Sequence, residues 1–169
     1  MKSHHFLLAA SALVLSVSAI AAGSHSGGHG HGDDAIGKPG KASKVSRTIQ
    51  IDMTDNMRFN AAAVTAKQGE TIRFVIKNSG KIKHEMVLGT EKDLKDHHEQ
   101  MKKNPEMEHA EPNMVTLAPG KTGEIIWQFT KAGKVDFACL QPGHYEAGMK
   151  GLVTVSNNSS QTKGSKHVH

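Results

Sequence analysis

From residue 45 onward the chain repeats one pattern: short runs with an apolar residue at every second position, each closed by a turn. Val45, Ile49 and Ile51 sit at odd positions, and Ile72, Phe74 and Ile76 alternate with Thr71, Arg73 and Lys77 after the turn Lys67-Gln68-Gly69-Glu70. His84, Met86 and Leu88 alternate in the same way. Ile125, Trp127 and Phe129 follow the turn Ala118-Pro119-Gly120, then come Val135, Phe137 and Cys139, and finally Gly151 to Val155. A period of two sends alternate side chains to opposite faces of a strand, so each run reads as a half-buried strand. Several such strands between turn signals predict an all-β antiparallel sandwich. The patterned stretch, 45–156, suffices for one core but not for a two-domain enzyme.

One stretch breaks the alternation. Thr90 with Asp93 three residues later resembles a capping box, and Asn104-Pro105 supplies a stop, which predicts a short helical insert from about Glu91 to Lys103. Its apolar face is thin, with Leu94, His97 or His98, and Met101 at helical spacing. From this pattern Leu94, Met101 and Met114 are expected in the core, and His97 and His98 on a solvated face.

The ends have a different character. Lys2 precedes an apolar run from Phe6 to Ile20 and then Ala19-Ile20-Ala21, small at the two positions that signal peptidase reads, so residues 1–21 read as a signal peptide cleaved after Ala21. Residues 22–44 read as a flexible His/Gly-rich linker carrying His25, His29 and His31, and 157–169 as a polar tail ending in His167 and His169. Such tracts either bind divalent metal weakly or serve as solvated tethers. The paired sequons at Asn157 and Asn158 read as accidents of a polar tail. No apolar run after the signal reaches the roughly 18 residues that a spanning helix needs, so no membrane span is expected in the mature chain.

The net charge of +5 suggests nucleic acid only until it is divided along the chain. Signal, linker and tail carry most of it; 45–156 holds 15 Lys/Arg against 14 Asp/Glu. Neither a basic stripe nor interleaved aromatics is visible there, which argues against a nucleic-acid partner.

Export places the chain in an oxidising space, yet its only cysteine is Cys139, so no internal disulfide can form. A lone exported thiol is buried and inert, pairs with another chain, or is protected as a metal thiolate. Cys139 is followed by His144 and Met149, with four residues in each gap, and His84 opens a predicted strand upstream. A thiolate, two imidazoles and a thioether form the ligand set of a blue-copper site: the sulfurs suit Cu(I), and the imidazoles also hold Cu(II). Zinc competes for Cys and two His, but a thioether ligand argues against it. Singly, a buried Cys, a surface His and a core Met are each common as structural residues.

With these residues in view the chain resembles the cupredoxins of the plastocyanin/azurin superfamily, in particular exported single-domain members linked to bacterial copper tolerance. The resemblance covers about Val45 to Ser156. It is carried by Phe137-Ala138-Cys139 through Met149, by Lys150-Gly151-Leu152-Val153-Thr154-Val155, and by Lys83-His84-Glu85-Met86-Val87-Leu88-Gly89, with a ligand spacing similar to that of rusticyanin. It implies an eight-stranded Greek-key sandwich with one type 1 copper at one end. His84, Cys139 and His144 would be the strong ligands and Met149 the weak axial one. It further implies an electron port at the edge of His144, with Pro142, Tyr145 and Ala147 forming an apolar surface for a transient redox partner. One position departs from the family: Glu85 stands where many blue-copper proteins have an Asn that donates to the ligand loop. A carboxylate does not donate unless protonated, so that brace is expected to be lost, with altered colour or potential.

The function expected is that of a periplasmic, monomeric electron carrier and not an enzyme, since 45–156 holds no further histidine cluster for a catalytic copper. The alternative is a copper buffer or tolerance factor using the same site plus accessory residues: Met86, His97, His98, Met101, Met107, His109, Met114 and the His-bearing termini.

Overall fold

The computed structural model describes residues 33–104 and 110–158. The signal peptide, His25, His29, His31, Met107, His109, His167 and His169 lie outside the described residues. Among the described residues, ten strands form two five-stranded sheets. They are β1 (Lys38–Pro39), β2 (Arg47–Thr54), β3 (Arg58–Phe59), β4 (Ala63–Lys67), β5 (Thr71–Asn78), β6 (His84–Gly89), β7 (Met114–Leu117), β8 (Thr122–Gln128), β9 (Gly133–Ala138) and β10 (Lys150–Ser156). One sheet runs β1-β8-β5-β2-β3 and the other β4-β10-β9-β6-β7. Without the two-residue strands β1 and β3, eight remain. A four-residue turn of helix, α1 (Asp33–Ile36), precedes β1, and the longer helix α2 (Glu91–Lys103) joins β6 to β7.

The alternation read from the sequence is the alternation of burial. Ile72, Phe74 and Ile76 of β5, Ile125 and Trp127 of β8, and Val135 and Phe137 of β9 all face the single large core between the sheets. Phe59 packs edge-on against Phe137, with ring centroids 5.1 Å apart, and Phe74 does the same against Phe129 at 6.4 Å. The sheets are not purely antiparallel as the pattern predicts: β2 pairs β5 and β4 pairs β10 in parallel. The cause is topological, because β2 lies in one sheet and β4 in the other, and a chain that crosses between layers can set neighbours in the same direction. Strand period alone carries no information on direction.

β6 is buried along its whole length, on both faces. Met86 and Leu88 enter the main core, while Val87 faces a second cluster with Leu94 and Met101 of α2, Ala138 and Leu140. The helix therefore roofs the outer face of β6 and β9. Burying a Leu or Met side chain of this kind contributes about 1.5–3 kcal/mol. Both halves of the capping box form at its start: Thr90 accepts from the Asp93 N–H, and the Asp93 side chain accepts from the Thr90 N–H.

The end of the stretch read as linker is instead packed. Ile36 is buried, its carbonyl accepts the Trp127 indole N–H at 2.8 Å, and β1 pairs with β8. Trp127 is the physical reason: a buried indole needs an acceptor, and this segment supplies it.

Candidate metal centre

His84 is the first residue of β6, and Cys139 directly follows β9. The two strands are antiparallel neighbours, with Val87 opposite Ala138 and Leu88 opposite Phe137, so the start of one lies beside the end of the other. The chain then leaves the sheet for residues 139–149 and returns into β10. Both ends of this loop are tied, the Cys139 N–H donating to the Met149 carbonyl at 3.0 Å. Within it His144 N–H donates to Gln141 O, and Met149 N–H to His144 O, each at 3.0 Å. Gly143 adopts φ +83°, a conformation that only glycine takes without strain, and so turns the loop back toward the sheet.

These constraints bring three of the four sequence-predicted residues together. The Nδ1 atoms of His84 and His144 are 3.2 Å apart, and Cys139 Sγ lies 3.2 Å from His144 Nδ1. The donor atoms of all three lie within 4.8 Å of one another. His84 and Cys139 are fully buried and His144 is 9% exposed. Met149, the fourth, is fully buried, with its backbone bonded to both Cys139 and His144. Two ring nitrogens turned toward each other beside a thiol repel unless a proton or cation lies among them. A soft or borderline cation fits this nitrogen and sulfur set.

The electrostatics are those of a dry site. Burial pushes the Cys139 thiol up to about 12. Backbone N–H groups of Glu85 and Gln141 pull the other way, and the Glu85 carboxylate adds to the rise. Burial, and then the neighbouring His84, hold His144 below the ordinary histidine value, with Asp55 acting against them. A neutral imidazole keeps a lone pair available for a cation.

The brace expected to be lost at Glu85 is present, with the carboxylate accepting where an Asn would donate. The residue is 1% exposed. Its Oε1 accepts the Leu140 N–H at 2.9 Å, and its Oε2 accepts from Gln141 Nε2 and the Thr116 hydroxyl, each at 3.2 Å. Its own N–H donates to Cys139 Sγ at 3.3 Å. The loop presents donors here, so an acceptor serves.

Three contributors gave no sequence signal. Asp55, in the turn after β2, places Oδ1 3.1 Å from His84 Nε2, while its Oδ2 accepts the Lys81 N–H at 2.8 Å. A Cβ at Gly80 would overlap Asp55 Oδ1 and come within 3.1 Å of His84 Nε2, so only glycine leaves room for this contact. Arg58 donates from Nη1 to the Ala147 carbonyl at 2.9 Å and so anchors the far side of the loop. Asp55 and Arg58 lie more than 20 residues from any of the sequence-predicted site residues, and although Gly80 is only four residues before His84, turn composition says nothing about which side chain faces which.

The helical insert touches the same loop. His98, expected on a solvated face, is 4% exposed. Its Nε2 pairs with Glu146 Oε1 at 2.8 Å, and its ring lies over Tyr145 with centroids 5.0 Å apart. Leu94 and Met101 are buried as expected, and Met114 is half-buried against them. Pro142 and Ala147 are exposed beside His144, whereas Tyr145 is half-buried between His98 and Lys150. Its ring thus packs against His98 of α2 on one side and the Lys150 ammonium on the other.

A family profile described as "Copper binding proteins, plastocyanin/azurin family" matches residues 45–156. The chain is 53% identical over 132 residues to the "Copper-resistant cuproprotein CopI" of Rubrivivax gelatinosus, covering 78% of this chain and 80% of that one. It is 38% identical over 178 residues to a protein of the same description from Pseudomonas aeruginosa, covering 88% and 96%. Among solved structures, reduced auracyanin from Roseiflexus castenholzii superposes with a TM-score of 0.56 at 27% identity, over 66% of this chain and 98% of that one. Auracyanin A from Chloroflexus aurantiacus, described as a "blue" copper protein, shares the fold with a TM-score of 0.55 at 22% identity, over 64% and 98%.

Proposed function

This chain belongs to the plastocyanin/azurin family of copper-binding proteins, and from that premise we propose that it is an exported, periplasmic carrier of single electrons. Copper is its cofactor, and bound copper supplies a one-electron couple. We assign the strong ligands to His84, Cys139 and His144 and the weak axial one to Met149. The observation that carries the assignment is the meeting of three buried donor atoms, from two strands and a loop, within 4.8 Å.

Each residue has a definable task. The Asp55 carboxylate takes the proton-bearing side of His84, leaving Nδ1 with its lone pair toward the centre. The Glu85 N–H bonds the sulfur and fixes its direction. Bonds across the mouth of the loop, from Cys139 to Met149, limit how far the ligands can move. Little movement between oxidation states favours fast transfer. His144, the least buried of the three, lies beside exposed Pro142 and Ala147, where a transient redox partner would dock. On this reading the protein carries electrons or binds copper, and is not an enzyme.

A second reading has its own support, since relatives at 53% and 38% identity are named copper-resistant cuproproteins. In that role the site captures copper and needs no redox partner. Titrating the purified chain with Cu(II) tests both readings. An intense visible thiolate-to-copper band saturating at one copper per chain, and lost in Cys139→Ser, supports the mononuclear centre. Further tight copper retained by Cys139→Ser favours capture; a weak d–d spectrum alone contradicts the centre itself.

A further inference from the structure

Two carboxylates lie against the proposed ligand set without belonging to it, Asp55 on His84 and Glu85 on the loop that carries Cys139. Asp55 bonds the outer nitrogen of His84 at 3.1 Å, and is itself held by the Lys81 N–H. Glu85 is 1% exposed and receives three donors, from Leu140, Gln141 and Thr116, while its backbone N–H meets Cys139 Sγ. None of these contacts requires either carboxylate to give up a hydrogen. The cation anchored to the same loop, Arg58, is exposed and therefore screened by water, whereas Glu85 is in a dry interior where charge acts strongly.

We infer that Asp55 and Glu85 shift the balance of this centre toward the oxidised ion, stabilising Cu(II) more than Cu(I) and lowering the reduction potential that its ligand set would otherwise have. The inference rests on the ligand assignment proposed above. Its physical basis is charge. A thiolate and two nearby carboxylates over-compensate a monovalent ion and more nearly balance a divalent one, so removing either carboxylate costs Cu(II) more than Cu(I). The carboxylate on His84 also makes its imidazole a stronger donor, which the more Lewis-acidic Cu(II) exploits more fully. Gly80 belongs to this device, because a side chain there would push Asp55 off His84.

The test compares the wild-type chain with Asp55→Asn, Glu85→Gln and Gly80→Ala. Dissociation constants are measured separately for Cu(II) and for Cu(I) with competing chelators, alongside the reduction potential. Asp55→Asn and Glu85→Gln are each expected to weaken Cu(II) about tenfold while leaving Cu(I) nearly unchanged, which raises the potential by ~59 mV for a one-electron couple. Gly80→Ala is expected to shift it in the same direction. Asp55 lies in an exposed turn, so its variant remains informative if Glu85→Gln fails to fold. An unchanged potential in Asp55→Asn, or equal losses of Cu(II) and Cu(I) affinity, overturns the inference. A wild-type chain without a thiolate-to-copper band refutes the ligand assignment instead, so the two failures are distinguishable.

Discussion

Cys139 is a thiol that water does not reach, pushed up to about 12 by its burial. Such a sulfur is a poor nucleophile on its own and becomes a thiolate when a metal replaces its proton. Met149 sits at the other end of the same loop, also fully buried. Replacing it by leucine conserves volume in a packed interior and costs less than about 1.5 kcal/mol. Met149→Leu should therefore fold, keep copper and keep the thiolate band, while its reduction potential rises with the loss of the thioether. Cyclic voltammetry beside a urea melt checks both halves; loss of copper altogether would show that Met149 is a strong ligand. At this scale the meeting of His84, Cys139 and His144 was legible, because their types and spacing are written in the chain. The polarity of Glu85 was not. It depends on donors at Leu140 and Gln141, and no local pattern says that a loop 55 residues away turns N–H groups inward.

Among the elements, the turn between β4 and β5 illustrates how a single carboxylate fixes a connection. Glu70 accepts from Arg47 Nε at 2.6 Å and from the Lys67 N–H at 2.8 Å. Partial burial pushes its carboxyl up, but the bonds from Arg47, Lys67 and Ser46 outweigh that and hold the group below the ordinary glutamate value. A depressed folded-state value means that the contribution is fully present above the unfolded value and is lost as pH falls through the folded one. Glu70→Gln should thus cost up to about 1 kcal/mol at neutral pH, with the two proteins converging as the pH drops below the glutamate range. Denaturation midpoints at several pH values decide this, and a constant gap across the range would contradict it. The extent of α2 and its cap were readable from Thr90, Asp93 and Asn104-Pro105. Its burial of His98 was not, because a helix with a thin apolar face gives no sign that a loop residue such as Glu146 will meet it.

For the molecule as a whole, strand period and turn chemistry were enough to predict a two-layer β architecture, since both are local consequences of φ/ψ and side-chain direction. The parallel pairs β2–β5 and β4–β10 were not legible, because pairing direction follows from the path of the chain between layers. The same is true of Ile36 and β1. Their residues look like linker, and their place is set by the acceptor that Trp127 requires. Both sheets converge on one end, where β2, β6, β9 and the loop before β10 deliver Asp55, His84, Cys139 and His144 to a common point. X-ray absorption at the copper edge of the Cu(II)-loaded chain tests this convergence most directly. The account predicts one short sulfur scatterer and two imidazole rings in the first shell, whereas a shell of nitrogen and oxygen without sulfur would contradict it.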